Sequence, residues 1–242
     1  MSSVAGASSI KGKIETEICS PKPQHQIFEE DETMRRAPCE ITERETMTNI
    51  LASAHVGRLA TMGADGYPYI TPVNFVFYQG HIYFHSARAG EKLDNLTRDS
   101  RVCFEVDVPL AYLEVDFNPD KVPCRAHQFY HCVIIRGRAR IIPEGELKTA
   151  ALNALVAKHE GRKAFTPITP DSSGYKACRV VEIKPGKMTG KSDLGQCRPQ
   201  HDYPRFIAEH LVKRGLPGDL EAVRAMGYEL EGAAQTGWQL KA

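Results

Sequence analysis

The sequence predicts a mainly β protein of the α+β class: an antiparallel barrel of short strands with flanking helices. Apolar and polar residues alternate along several short segments, which is typical of half-buried strands. Two tight turns, at 64–66 and 79–80, join successive segments and indicate antiparallel hairpins. A doubly wound parallel sheet would need a helix after nearly every strand, and helical patterns are too few for that.

The first ordered element is predicted to be a short helix that ends near residue 53. Thr42 and Glu45 have the spacing of a capping box, in which each side chain caps the backbone of the other residue. Met47 and Leu51 follow at helical spacing. We therefore expect the helix to begin close to Thr42.

Strands and two further helices are expected to follow. The strand patterns cover residues 55–61, 67–77, 81–85, 101–108, 130–142 and 175–183. The helical patterns cover residues 91–98 and 144–158. Because neighbouring strands are joined by turns, the expected sheet is antiparallel and closes into a barrel.

Three regions are expected along the chain. Residues 1–33 are rich in Ser, Lys, Glu and Pro, and such a segment buries too little apolar surface to order itself, so a disordered leader is predicted. Residues 34–193 form the predicted barrel domain. Residues 194–242 carry two further helical patterns, near Phe206 and Val223, and are predicted to be a helical extension.

The charge balance excludes some partners. The 242 residues contain 31 Lys and Arg against 30 Asp and Glu. A net charge of +1 creates no broad field for nucleic acid or an acidic membrane, so neither partner is expected. No apolar run approaches the roughly 20 residues that cross a bilayer, and the cytoplasm is the expected location. Seven cysteines without a CxxC pair indicate reduced thiols.

Several possible motifs are incomplete. Residues 186–192 resemble a phosphate-binding P-loop, but one residue is missing between the glycines and no helical pattern follows. Cys124, His127, His131 and Cys132 could each bind a metal. His131 and Cys132, however, are neighbours in a predicted strand and should point to opposite sides, so no metal is expected.

The most informative motifs lie between residues 57 and 106. They occupy residues 57–61, 65–75, 82–87, 90–96 and 102–106. In this order they resemble the FMN-binding split-barrel superfamily of pyridoxamine 5′-phosphate oxidase, and within it the branch of nitroimidazole-resistance proteins. The resemblance covers about 34–191. It implies a split β-barrel of the FMN-binding type.

The resemblance implies a phosphate site at His85, Ser86 and Lys92. FMN needs cations and hydrogen-bond donors for its phosphate. Lys92 lies in the first turn of a predicted helix opened by Gly90, where the helix dipole also favours an anion. The alternative is a solvated lysine and a serine in a turn.

The resemblance also places one strand beside the flavin ring. This strand comprises Ile70, Thr71, Pro72, Val73 and Asn74. Proline removes a hydrogen-bond donor from a sheet, so it suits an edge where backbone meets a ligand. The alternative is an edge strand that proline protects from aggregation.

Some positions differ from those of the oxidases. Glu91 stands where they have an arginine beside the lysine; Arg58, Arg88 or Arg101 could supply the lost cation. Cys132 falls where they place a glutamine facing the flavin. Because the substrate residues at the C-terminus of the oxidases have no clear match, oxidation of pyridoxamine phosphate is not expected.

His85 has a second predicted role, as a catalytic residue. The resemblance places a histidine at this position close to the flavin, where it could donate a proton near neutral pH. An inert histidine at the end of a strand is the alternative.

The resulting hypothesis is an FMN-dependent oxidoreductase that takes electrons from NAD(P)H. A small planar acceptor, a nitroaromatic or a quinone, would receive them. The resemblance implies a homodimer with flavin at the interface, and residues 187–191 reaching the site of the partner. The alternatives are a haem-binding or haem-degrading protein, and a non-catalytic flavin carrier or redox sensor with Cys124 or Cys132 as the responsive thiol.

Overall fold

The computed structural model describes residues 34–197, 203–233 and 237–241. The predicted leader, residues 1–33, lies outside them. The strands are β1 (Glu40–Ile41), β2 (Val56–Met62), β3 (Pro68–Asn74), β4 (Val76–Tyr78), β5 (His81–Ser86), β6 (Arg101–Leu113), β7 (His127–Ile141), β8 (Arg179–Asp193), β9 (Leu230–Ala233) and β10 (Gly237–Leu240). The α-helices are α1 (Arg44–Ser53), α2 (Glu91–Arg98), α3 (Glu146–Glu160), α4 (Ser173–Ala177), α5 (Tyr203–Arg214) and α6 (Asp219–Ala225).

The main sheet is antiparallel and follows the order β3-β2-β6-β7-β8-β5-β4, with β1 paired to β8. Its curvature brings β3 close to β5, although these two strands form no ladder with each other. The sheet is therefore a barrel with a split between β3 and β5. The predicted split-barrel fold is confirmed.

The barrel core is formed by one face of each long strand. Leu59, Phe104, Val133 and Ile135 are fully buried there, and α1 and α2 cover its ends. The side chains that alternate with them point outward. This alternation defines the outer face, on which much of the predicted site lies.

The predicted strand over 67–77 is interrupted at Phe75. β3 pairs with β2, whereas β4 pairs with β5 on the other side of the split. The chain crosses between these sheet edges at Phe75, whose buried ring packs edge-on against Phe104 with centroids 5.0 Å apart. Burial of this aromatic ring outweighs continuation of the strand.

The capping-box prediction at the start of α1 is wrong. Glu43, not Thr42, is the N-cap residue of α1, and its side chain makes no capping hydrogen bond to the helix backbone. The Thr42 hydroxyl donates instead to the Glu43 carboxylate, at 2.8 Å.

β8 is longer than predicted and continues through Pro185 and Gly186. A register shift between Arg136 and Gly137 of β7 accommodates these residues. Residues 186–192, which resemble a P-loop, are consequently part of a strand. The beginning of the last predicted strand is wrong, because Tyr175 lies in the short helix α4 and packs its ring into the core under α3.

The predicted C-terminal helices are present as α5 and α6, followed by an unpredicted hairpin of β9 and β10. Ile207, Leu211 and Val223 of the two helices pack with Leu113 of β6 and Phe129 of β7. This segment therefore shares a hydrophobic core with the barrel strands. Within the described residues, no helix is long and apolar enough to span a bilayer.

Candidate functional site

Two buried hydroxyls lie on the strands that border the split. Thr71 belongs to β3, and Ser86 is the last residue of β5. Neither the Thr71 nor the Ser86 hydroxyl oxygen has a hydrogen-bond partner among the described residues. A buried polar atom left without a partner costs about 1–3 kcal/mol, so such atoms usually meet a ligand or water.

Lys92 follows Ser86 by six residues and lies in the first turn of α2. The helix opens at Gly90, whose φ of 136° lies in a region that side-chain-bearing residues rarely adopt. Asn95 anchors the helix to β2, because its buried amide donates to the Thr61 hydroxyl at 3.1 Å. No ion pair of Lys92 is present in the described part of the chain. Its ammonium is thus available for an anion.

Asn74 and His85 line one cleft of about 310 Å³. Its opposite wall is the apolar side of α3, with Leu152, Leu155 and Val156. Because the wall is apolar and His85 is exposed, the cleft combines a surface for a flat apolar molecule with an imidazole that can exchange a proton.

The sequence prediction missed His159, which lines the cleft, and its neighbour Lys158. His159 lines the cleft, and its Nδ1 lies 3.4 Å from Nδ1 of His55. Burial lowers the pKa of His159, and the nearby Lys158 contributes to the shift. Burial also lowers the pKa of Lys158 to about 8; its ammonium lies 3.6 Å from the Phe75 ring centroid. The sequence contained one signal for His159: it follows Leu155 by four residues, so the two side chains share a face of the predicted helix.

Arg58 and Cys132 lie on the outer face, together with two carboxylates of β6. Arg58 pairs with Glu105 at 3.1 Å and also with Asp107. The Cys132 thiol donates to Glu105, at a sulfur–oxygen distance of 3.6 Å. Burial, reinforced by Glu105, raises the pKa of Cys132 to about 12. The guanidinium that was predicted to contact phosphate is thus already occupied by carboxylates.

The other two candidate arginines differ in their surroundings. Arg101 makes a two-point ion pair with Asp99, with distances of 2.6 and 3.0 Å. Arg88 donates to the backbone carbonyl of Lys176 at 2.9 Å, and no carboxylate contacts it within the described residues. Arg88 is therefore the arginine best placed to accept an additional anion.

The predicted site residues fall into two groups joined by β3. Along β3, Ile70 and Pro72 are exposed, and Pro72 lies opposite Arg58. Thr71 and Val73 alternate with them, and Val73 is buried in the barrel core. Asn74, at one end of β3, therefore lines the cleft beside His85. The outward side chains of β3, Ile70 and Pro72, lie on the face that holds Arg58 and Cys132.

Three of the four residues of the incomplete metal motif, His127, His131 and Cys132, contact other partners. His127 pairs with Asp193 at 3.0 Å, and His131 contacts the Ser192 hydroxyl at 2.9 Å. Cys132 contacts Glu105. Across the residues that are described, no cluster of three His, Cys, Asp or Glu side chains has a geometry suited to a metal ion.

The family model described as pyridoxamine 5′-phosphate oxidase matches residues 43–192, more than half of the chain. The chain belongs to the pyridoxamine 5′-phosphate oxidase family. A curated relative of this family member is the 5a,11a-dehydrotetracycline/5a,11a-dehydrooxytetracycline reductase of Streptomyces rimosus. The two are 34% identical over 136 residues, which cover 54% of this chain and 87% of the reductase.

Two solved structures share the fold. A 5-nitroimidazole antibiotic resistance protein of Bacteroides thetaiotaomicron has a TM-score of 0.53 and 22% identity, covering 63% of this chain and 86% of that one. The FAD and haem binding protein of Mycobacterium smegmatis has a TM-score of 0.54 and 17% identity, covering 84% and 83% of the two chains.

The predicted family is confirmed by the family model, and the predicted fold by the sheet topology and these structures. Membership of an oxidase family and similarity to a reductase support the predicted class of flavin-type oxidoreductase. The roles of the individual site residues stay predictions.

Proposed function

We propose that this chain is a flavin-dependent oxidoreductase of the pyridoxamine 5′-phosphate oxidase family, with FMN as its cofactor. NAD(P)H would donate the electrons, and a small planar molecule of the nitroaromatic or quinone type would accept them. When bound, FMN supplies the two-electron chemistry. The chain supplies binding, orientation and proton transfer.

The observation that carries the proposal is the pair of unpartnered hydroxyls at the split, Thr71 and Ser86. Ser86 and Lys92 would hold the phosphate, because one offers a hydroxyl donor and the other an unpaired ammonium at a helix N-terminus. Arg88 is the nearest arginine along the chain and would add a second cation. This donor set fits a phosphate dianion.

β3 fits the polar edge of a flavin ring. Among the described strands it pairs with β2 alone, so the backbone groups on its other side are free for a ligand. Pro68 and Pro72 lack N–H groups, and the exposed edge therefore presents fewer unpaired donors. The ring would lie along residues 70–74.

His85 would act on the substrate that shares the cleft. Its side chain is exposed and faces the cleft opposite the apolar wall of α3. The ring nitrogens of an imidazole can donate as well as accept a proton, so His85 can supply a proton to a reduced acceptor. The apolar wall would hold the acceptor flat.

We also propose a cytoplasmic homodimer whose interface covers the outer face. Ile70 is 61% exposed and Ile134 is 38% exposed, both on that face. A second copy would bury them, and Lys187, Thr189 and Lys191 of β8 lie on the same side of the sheet, opposite Arg136, Ile134 and Cys132 of β7.

Size-exclusion chromatography with light scattering tests the proposed homodimer and should give twice the mass of the chain. A monomer at micromolar concentration would contradict the proposed homodimer.

The test is the visible absorption spectrum of the purified protein after addition of FMN and removal of the excess. We expect a retained flavin spectrum and at least a roughly 10-fold increase in Kd for Lys92→Ala, since a charge-assisted contact to phosphate is lost. Lys213→Ala, on the exposed side of α5, is the matched control and should bind like the wild type. Absence of flavin, or a haem spectrum, would overturn the proposal.

A second pair of variants tests the hydroxyls. Thr71→Val and Ser86→Ala remove oxygens that have no partner in the flavin-free chain, so stability without FMN should not fall. Flavin affinity should nevertheless decrease. A loss of stability with unchanged FMN affinity would show that the hydroxyls serve the fold instead.

A further inference from the structure

Two cysteines far apart in the sequence meet at the end of β8. Cys39 is buried at the end of a 3₁₀ turn (Ala37–Cys39), and Cys197 is exposed, four residues after β8. Their sulfur atoms are 3.5 Å apart. Among the described cysteines, this is the one pair whose sulfurs are in contact.

The backbones around the two sulfurs are held by independent contacts. β1 pairs with β8, with Glu40 opposite Lys191. Arg36 forms an ion pair with the buried carboxylate of Asp193, at 3.4 Å. The side-chain amide of Gln196 donates to the carbonyl of Pro38 at 3.1 Å, directly beside both cysteines. Such a clamp keeps the sulfurs near each other whether or not they are bonded.

We propose that Cys39 and Cys197 form a reversible disulfide that fastens the segment before α1 to the end of β8. The site takes a small-molecule disulfide as its oxidant. A disulfide requires the sulfurs to approach from 3.5 Å to about 2.05 Å. That movement is small for an exposed residue outside a strand, such as Cys197.

The two thiols have different roles in the exchange. The exposed Cys197 thiolate attacks one sulfur of the external disulfide, whose other sulfur leaves as a thiolate. The Cys39 thiol then gives its proton to that thiolate and attacks the Cys197 sulfur. The second small thiolate leaves and takes up from solvent the proton that Cys197 lost when it ionised. In total, two protein thiols become one disulfide and one small disulfide becomes two thiols.

Burial raises the pKa of Cys39 to about 11, and its contact with Cys197 adds to this shift. Cys39 therefore reacts slowly with external reagents but is adjacent to the Cys197 sulfur once that sulfur is activated. This asymmetry makes Cys197 the entry point and Cys39 the resolving thiol.

The test is a peptide map of the full-length protein after incubation with oxidised glutathione and alkylation of the remaining thiols. We expect the tryptic peptide over 37–44 joined to the peptide that carries Cys197, with a mass lower by two hydrogens than their sum. Dithiothreitol should separate them. Cys124→Ser, at an exposed cysteine elsewhere, should retain the cross-link, and Cys197→Ser should lose it.

Thermal unfolding supplies the second readout. The cross-link spans a sequence separation of 158 residues, and it should raise the Tm of the oxidised protein by about 5–10 °C relative to the reduced protein. Cys197→Ser should show no such difference. Glutathione retained on Cys197 while Cys39 is alkylated, or a link from Cys197 to another cysteine, would overturn the proposal.

Discussion

Glu182 is a buried carboxylate of β8, and three side chains hold it in its charged form. His81 lies 2.9 Å and the Tyr83 hydroxyl 2.8 Å from its oxygens, and Arg140 completes the set. Burial by itself would raise the pKa of Glu182, but these hydrogen bonds outweigh burial and lower the pKa to about 2. The charge is therefore stabilised only in the folded protein.

We expect Glu182→Gln to lower the free energy of unfolding at pH 7 by about 3 kcal/mol. Because the folded pKa is depressed, the wild-type contribution is present above about pH 4.5 and is lost as the pH falls toward 2. Urea unfolding from pH 7 to 3 measures this. The difference between variant and wild type should shrink with acid.

Glu209→Gln is the matched control, because Glu209 is exposed and pairs with Arg205 on α5. Its effect should stay below about 0.5 kcal/mol. A pH-independent loss for Glu182→Gln would assign its effect to packing rather than to charge.

Cys132 is unsuited to act as a redox sensor, because its thiol is kept protonated. With a pKa of about 12, its thiolate is scarce at pH 8. We expect iodoacetamide to label Cys132 at least about 10-fold more slowly than the exposed Cys124, as measured by time-resolved peptide mapping. Glu105→Gln should speed the labelling of Cys132. Equal labelling rates for Cys132 and Cys124 in the wild type would contradict this prediction and would support a sensor role for Cys132.

At the scale of elements, β7 and β8 depend on Gly137 for their close contact. Gly137 lies at the register shift opposite Pro185, and an added Cβ would overlap the carbonyl oxygen of Lys184. The atom that such a Cβ would overlap belongs to the backbone, and it cannot move aside by rotation as a side chain can. The strands therefore require glycine here.

Gly137→Ala should lower the free energy of unfolding by about 2 kcal/mol or more, measured by urea denaturation. Gly174→Ala is the control, since a Cβ at this helical glycine of α4 meets no atom within 4 Å. It should be neutral or slightly stabilising. Equal stability of the two variants would mean that the β7–β8 register can shift freely.

At the scale of the whole molecule, the C-terminal segment and the barrel share one apolar core. Leu211 is fully buried against residues of β6 and β7. Arg214 reinforces this contact: it pairs with Asp219 at 2.6 Å, with Glu114, and donates to the Tyr112 carbonyl at 2.8 Å. Removal of the segment would expose Leu113 and Phe129.

We expect a chain that ends at residue 197 to bind the dye ANS and to aggregate, because those buried side chains would face water.

In the full chain, Leu211→Ala should lower the free energy of unfolding by about 2–5 kcal/mol, and unfolding should remain a single transition. Leu216→Ala, at an exposed leucine beyond α5, should cost less than about 1 kcal/mol. Two separate transitions would show that the segment folds independently.

Local patterns were sufficient for the fold class and most of the strands and helices. The positive φ of Gln79 and Gly80 fits a tight hairpin turn, which the dipeptide itself predicts. The motifs between residues 57 and 106 indicated the family. The same resemblance predicted a site at the end of β3, His85 and Ser86, and the roles of these residues stay predictions.

Other features depend on contacts between distant residues. The occupied guanidinium of Arg58, the raised pKa of Cys132 and the Cys39–Cys197 contact each require strand registers that no local pattern contains. The sequence by itself determined which segments become strands and which family they build, because periodicity and turn chemistry are local. Only the tertiary structure decided which charges are paired, buried or free, because burial and ion pairing arise when separate strands meet.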